Sequence, residues 1–174
     1  MPISQHQAVT GFLDYLRYEK RFSQHTIRSY SDDLDSFFTF LLKQYGENLP
    51  DISPFMIRSW MAEMASAGMA PRSINRKLSC LKSFFRFCRR TGLTSANPAS
   101  VIQVMKVKKR LPSYVEEKQM DVLLNRVEFQ DDLQGQTQKL IIDILYSTGV
   151  RVSELVTIRQ NHIDFSNKSL KVLG

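Results

Sequence analysis

Cysteine is scarce in this chain: Cys80 and Cys88 are the only two among 174 residues. They lie eight residues apart on one predicted helix, about 12 Å along its axis at 1.5 Å per residue. That is too far for a mutual disulfide, so both read as buried thiols. The three histidines, His6, His25 and His162, are scattered without metal-ligand spacing, and no metal site is expected. No apolar run approaches the roughly 20 residues that span a bilayer. Met1 to Thr10 also lacks the basic start and apolar run of a signal peptide. The expectation is therefore a cytoplasmic chain with no membrane partner, in which the glycosylation pattern Asn167-Lys168-Ser169 goes unused. Internal repeats and low-complexity segments are absent too.

Acidic residues are missing from one long window. Between Glu63 and Glu116 there is none, while Arg72, Arg76, Lys77, Lys82, Arg86, Arg89, Arg90, Lys106, Lys108, Lys109 and Arg110 fall inside it. The net charge of +7 is correspondingly uneven: residues 1–110 hold 17 Lys and Arg against 8 Asp and Glu, and residues 111–174 hold 7 against 9. Solvated surfaces mix both signs, so a window of one sign points to a polyanionic partner, nucleic acid first.

What is present is helical pattern and ample apolar content, 43% of residues, enough for one full-sized domain or two small ones. Val9, Phe12, Leu13 and Leu16 predict a first helix to about Lys20, with Ser4 as cap. A second follows the Ser23 cap, with Ile27, Tyr30, Leu34, Phe37, Phe38, Leu41 and Tyr45 on its apolar face and Gly46 as its stop. A third begins at Ser53-Pro54 and ends at Gly68, with Trp60 and Met64 facing the core. The fourth spans Pro71 to Arg90, before Gly92. With Arg72 as zero, Arg76, Ser79, Ser83, Arg86 and Arg90 fall within about 40° of it, while Ile74, Leu78, Leu81, Phe85 and Cys88 fall within about 60° of the opposite side. One side is core and the other cationic. The cationic side is either a solvated helix surface or a nucleic-acid face on which Ser79 and Ser83 permit close backbone approach.

Met105 to Pro112 has neither helical nor strand period and reads as a charged linker able to follow a phosphate backbone. Beyond it, Ser113 and Glu116 predict a capping box for a helix holding Val115, Met120, Leu123 and Leu124. Gln130 to Gln136 reads as a polar loop, Thr137 to Ser147 as a buried helix, and Ile163 to Leu173 as a hairpin around Ser-Asn-Lys. The expected organisation is a helical domain over 1–104, a basic linker over 105–112 and a second, α+β domain over 113–174. A terminal hairpin leaves an unpaired edge, so that second domain is expected to be incomplete.

Arg151 lies between the apolar runs Leu140–Leu145 and Leu155–Ile158. If a helix starts near Val150, the dipole disfavours a cation in its first turn. Two readings explain the arginine: an ion pair with Glu154 one turn later, or a bidentate site for an anion such as phosphate.

Four segments, Phe22-Ser23-Gln24-His25-Thr26-Ile27-Arg28-Ser29-Tyr30 with Asp33-Leu34, Arg72-Ser73-Ile74-Asn75-Arg76-Lys77-Leu78-Ser79 through Phe84-Phe85, Leu111-Pro112, and Thr148-Gly149-Val150-Arg151-Val152-Ser153-Glu154-Leu155, make the chain resemble the tyrosine recombinase or phage integrase family, Xer-type, along its whole length. The resemblance implies a mainly α protein: a four-helix SAM-like core-binding domain followed by part of an α+β catalytic domain. It implies a clamp around double-stranded DNA with the second and fourth helices in the major groove. Gln24, Thr26, Arg28, Arg72, Asn75, Arg76, Ser79, Lys82, Ser83, Arg86 and Arg90 would face DNA, and Lys106, Lys108, Lys109 and Arg110 would follow the backbone. Arg151 would stabilise charge on the attacked phosphorus, with Glu154 orienting it.

The family cuts and rejoins strands through a 3′-phosphotyrosyl bond that conserves the phosphodiester energy, so no cofactor is implied. It works with other recombinase subunits as a tetramer on DNA. The family's hairpin lysine, His-x-x-Arg box and nucleophilic tyrosine have no counterpart before Gly174. Tyr146 reads as core rather than nucleophile, so the expectation is DNA binding without a covalent complex. Two alternatives stand beside this reading: a helical DNA-binding or regulatory protein without catalysis, and a helical protein–protein module.

Overall fold

Ser23 and Ser53 show how locally the helices of the first half are specified. In the computed structural model, which describes residues 5–46, 51–107 and 114–172, the Ser23 hydroxyl accepts from the Thr26 N–H at 3.3 Å and that of Ser53 from the Met56 N–H at 3.4 Å. Each serves an amide that the first turn leaves unpaired, worth about 1 kcal/mol. The helices they open are α2 (Gln24–Tyr45) and α3 (Pro54–Ser66). Ahead of them lies α1 (Gln5–Asp14), and behind them α4 (Pro71–Arg90). The proposed Ser4 cap lies outside the described residues. α1 does not run on to Lys20 as an α-helix; it widens into a π turn over Tyr15–Glu19, followed by Arg21 at φ 52°.

The chain divides into two units, Met1–Lys109 and Arg110–Gly174. The first is built around Phe12, Leu34, Phe37, Leu41, Ile57, Trp60, Ile74, Leu78, Leu81 and Phe85, all at most 3% exposed. Its aromatic side chains meet edge to face, Phe37 on Trp60 at 5.1 Å and Phe12 on Phe84 at 5.5 Å between centroids, the arrangement ring quadrupoles favour. α4 buries the predicted Ile74, Leu78, Leu81, Phe85 and Cys88, and Cys80 and Phe84 besides. α2 buries Phe40 beyond the predicted face, whereas Tyr30, Phe38 and Tyr45 are only half-buried.

After α4 a strap returns across it. The Asn75 amide donates to the Met105 carbonyl and accepts from the Met105 N–H, both at 2.8 Å. Lys82 Nζ donates to the Ile102 carbonyl at 2.8 Å, and Ala99 and Ile102 are buried. Residues 97–105 thus belong to the packed helical unit.

Both cysteines are free and buried. Burial drives the Cys80 thiol far above its ordinary value, assisted by Asp33, and pushes Cys88 up to about 11. At pH 8 that leaves roughly one Cys88 thiolate in a thousand. A disulfide reagent is expected to label neither cysteine until denaturant is added. Labelling of the folded chain at the unfolded rate would refute this placement.

The second unit holds α5 (Glu117–Asn125), α6 (Leu133–Thr148), α7 (Val152–Leu155), a 3-10 turn at Gln160–His162, and an antiparallel pair, β1 (Ile163–Asp164) with β2 (Ser169–Leu170). The hairpin is as predicted but shorter, its turn held by Asp164 accepting from the Ser166 and Asn167 amides at 3.0 Å.

Four expectations are corrected here. At α5 the reciprocal partner is Gln119, which accepts from the Glu116 N–H at 3.2 Å, and Glu116 is itself the cap; Ser113 lies outside the described residues. The polar stretch Gln130–Gln136 is half helix, because Asp132 accepts from the Gly135 N–H at 2.7 Å and starts α6 early. That start requires glycine, since a β-carbon at 135 would collide with the Gln130 backbone. α6 is not a buried helix: Leu140 is 58% exposed and Ile141 40%. Tyr146 is not a core residue, at 50% exposed, and Val156 beyond α7 is 75% exposed. The physical reason is shared: Met120 is the only large apolar side chain buried among this unit's described residues, so α6 has little to pack on.

Candidate functional site

Gly149 ends α6 in the left-handed conformation, φ 66°, and so reverses the chain at Thr148-Gly149. The next helix begins at Val152, and Arg151 is its N-cap, not a residue of its first turn as expected from sequence. Glu154 fixes it twice. Its Oε2 accepts from the Arg151 main-chain N–H at 2.8 Å and its Oε1 from Arg151 Nη1 at 2.7 Å. These two bonds hold the Glu154 carboxyl below its ordinary value, so it is charged at neutral pH. The glutamate side chain is 13% exposed and that of Arg151 is 80% exposed. A guanidinium oriented at one edge by a charge-assisted bond, with its remaining N–H groups toward solvent, can still receive an anion. The two readings of this pair are compatible in one geometry.

In the helical unit the cations of α4 divide by their partners. Arg76 forks onto Asp33, Nη1 to Oδ2 and Nη2 to Oδ1 at 2.7 Å each, and Nη1 also donates to Ser29 at 2.6 Å. Lys77 Nζ donates to the same carboxylate at 2.8 Å and lies 5.9 Å over the Trp60 ring. The Asp33 side chain is 1% exposed, against 47% for Arg76 and 14% for Lys77. Bonding to Asp33 raises the Arg76 pKa further.

Lys82 and Asn75 are engaged by the strap, and Ser79 donates back to the Asn75 carbonyl at 2.9 Å. Arg90 donates to the Tyr15 hydroxyl at 3.0 Å. Arg72, Arg86 and Arg89 are exposed and have no ion pair among the described residues. Ser83 is half-buried and its hydroxyl is hydrogen-bonded to that of Tyr30.

On α2, Gln24 and Arg28 are exposed, and Thr26 is taken up with the Ser23 cap, hydroxyl to hydroxyl at 3.0 Å. Lys106 is exposed, while Lys108, Lys109 and Arg110 lie outside the described residues. Among the described residues no group of three His, Cys, Asp or Glu could hold a metal ion, and no helix is long and apolar enough to cross a membrane.

Sequence reasoning missed Asp33. Its signal was available: Asp33 stands two helical turns before Phe40 and so shares its side of α2. An acid on a burying face needs a cation to meet it.

Comparison with known proteins follows the same division. The phage integrase N-terminal SAM-like domain model matches residues 9–92, and the phage integrase family model matches residues 113–174. A tyrosine recombinase XerC of Staphylococcus saprophyticus is 36% identical over 169 residues, covering 94% of this chain and 55% of the relative. One from Anoxybacillus flavithermus is 32% identical over 163 residues, covering 94% and 54%. The chain thus spans about half the length of the curated relatives it matches. Among solved structures, a lambda integrase tetramer bound to a Holliday junction aligns with a TM-score of 0.70 at 18% identity, over 98% of this chain and 47% of that one. That likeness shows the fold. With both family models matched in order along its sequence, the chain belongs to the phage integrase family of tyrosine recombinases.

Proposed function

We propose that this chain is the DNA-engaging portion of a site-specific DNA recombinase, which breaks and rejoins strands through a 3′-phosphotyrosyl intermediate and acts in the cytoplasm with further recombinase subunits. The observation that carries the reading is the charge along α4, where Arg72, Arg86 and Arg89 are exposed and without an ion pair among the described residues, on a helix that has no acidic residue. Docked on a duplex, that helix sets phosphates against guanidinium groups while its opposite side stays in the core. Gln24 and Arg28 on α2 and Lys106, Lys108, Lys109 and Arg110 of the linker extend the contact. Arg151, oriented by Glu154, receives the non-bridging oxygens of the attacked phosphate and stabilises the charge that builds there.

The names of the relatives support this reading, as does the DNA named with the lambda integrase structure. The test is equilibrium binding of the chain to duplex DNA across a salt series. With six phosphate contacts the log–log slope is expected near −5, at roughly 0.9 per contact. Binding that ignores salt overturns the proposal in favour of a helical protein-binding module.

A further inference from the structure

Between the π turn that ends α1 and the flank of α4 lies a cleft of about 190 Å³. Tyr15, Phe22 and Phe87 contribute aromatic walls and Lys20, Arg86 and Arg90 contribute charge; among the described residues no acidic side chain lines it. Two of the cations share one ring. The Arg90 guanidinium carbon is 4.2 Å from the Tyr15 centroid and Lys20 Nζ is 5.7 Å from it. Neither Lys20 nor Arg90 has an ion pair among the described residues, and Arg86 has none either.

The ring face attracts each cation, while the cations repel one another across solvent, since Lys20, Arg86 and Arg90 are all exposed. The backbone that carries Tyr15 and Lys20 is irregular. The Lys20 N–H donates to the Tyr15 carbonyl at 3.1 Å across the widened turn, and Arg21 then takes a left-handed conformation that a side chain disfavours. π turns of this kind recur at functional sites. An anion in the cleft would offset the repulsion among all three cations.

We infer that this cleft is a phosphate-binding site, in which Lys20 and Arg90 grip the non-bridging oxygens of one phosphate group beside Arg86. The phosphate is either part of a duplex backbone, in which case the inference rests on the DNA-binding reading above, or a free phosphate. In the first case the π turn after α1, which neither the charge window nor the family motifs single out, joins α2 and α4 as a DNA-facing element and fixes the register of the backbone.

The experiment pairs two probes on the full chain, a duplex followed by fluorescence anisotropy across a salt series and inorganic phosphate followed by ³¹P line broadening. The variants are Lys20→Gln and Arg90→Gln, singly and together, with Lys43→Gln on α2 as a control of equal charge change. The double variant is expected to lower duplex affinity about tenfold and to take about 0.9 from the salt slope, one phosphate contact, while Lys43→Gln changes neither. Unaltered duplex binding with lost phosphate broadening keeps the site and assigns it to free phosphate. Cleft-dependent broadening in a chain that binds no duplex keeps the site and removes the DNA-binding reading. A double variant indistinguishable from the parent with both probes overturns the inference. Should Arg90→Gln unfold the chain, Lys20→Gln decides alone, because Lys20 is an exposed side chain whose loss leaves the core intact.

Discussion

Asp33→Ala is expected to destabilise the helical unit by about 3 kcal/mol, the cost typical of breaking a buried ion pair from one side. The carboxylate is almost fully enclosed and accepts three charge-assisted bonds, two from Arg76 and one from Lys77. Without it Lys77, only 14% exposed, is left beside the Trp60 ring with no ion-pair partner among the described residues. Asp33→Asn retains the shape but loses the charge, and should fall between alanine and the parent. Trp60 is the only tryptophan of the chain and lies in this unit, so urea unfolding followed by its fluorescence reads the helical unit by itself. A loss below about 1 kcal/mol, the scale of an exposed pair, would show that the network contributes no more than a surface salt bridge.

The second large effect concerns binding. Arg72→Ala with Arg86→Ala should weaken duplex binding by about a hundredfold at moderate salt and reduce the salt slope by about 1.8, two phosphate contacts. Circular dichroism and the urea midpoint should stay at parent values, because both side chains are exposed and have no ion pair among the described residues. Arg76→Ala should behave in the opposite way, costing stability through Asp33 while altering the slope less. If Arg76→Ala flattens the slope more than the Arg72 and Arg86 pair does, the division of α4 into internally engaged and free cations is wrong.

That division marks the limit of what could be read from the sequence. Helix ends were legible at Ser23, Gly46, Ser53, Pro71 and Arg90, because capping involves neighbours three or four residues away. The Arg151–Glu154 pair was legible for the same reason, as a contact within one turn. The partners of Arg76, Asn75 and Lys82 were not, since they lie 43, 30 and 20 residues away. A window without acids looked like unopposed charge because its counter-ion, Asp33, belongs to another helix.

In the second unit the period of α6 was visible, but its burial depends on neighbouring elements. Leu140 and Tyr146 show how far a helical apolar pattern can stand from an enclosed one. The π turn left little trace in the periodicity of Val9, Phe12, Leu13 and Leu16, because of these only Leu16 lies inside it, and Leu16 is buried all the same.

The crowding of roles on α4 limits how the helix can be redesigned. Seven of its positions are buried, and Asn75, Arg76, Lys77, Lys82 and Arg90 hold the strap, the Asp33 network or the Tyr15 ring. If α4 docks on DNA as proposed, a library meant to alter its preference has few positions left to randomise, chiefly Arg72, Ser73, Ser79, Arg86 and Arg89. Changes elsewhere on the helix would be screened for folding before they could be screened for specificity.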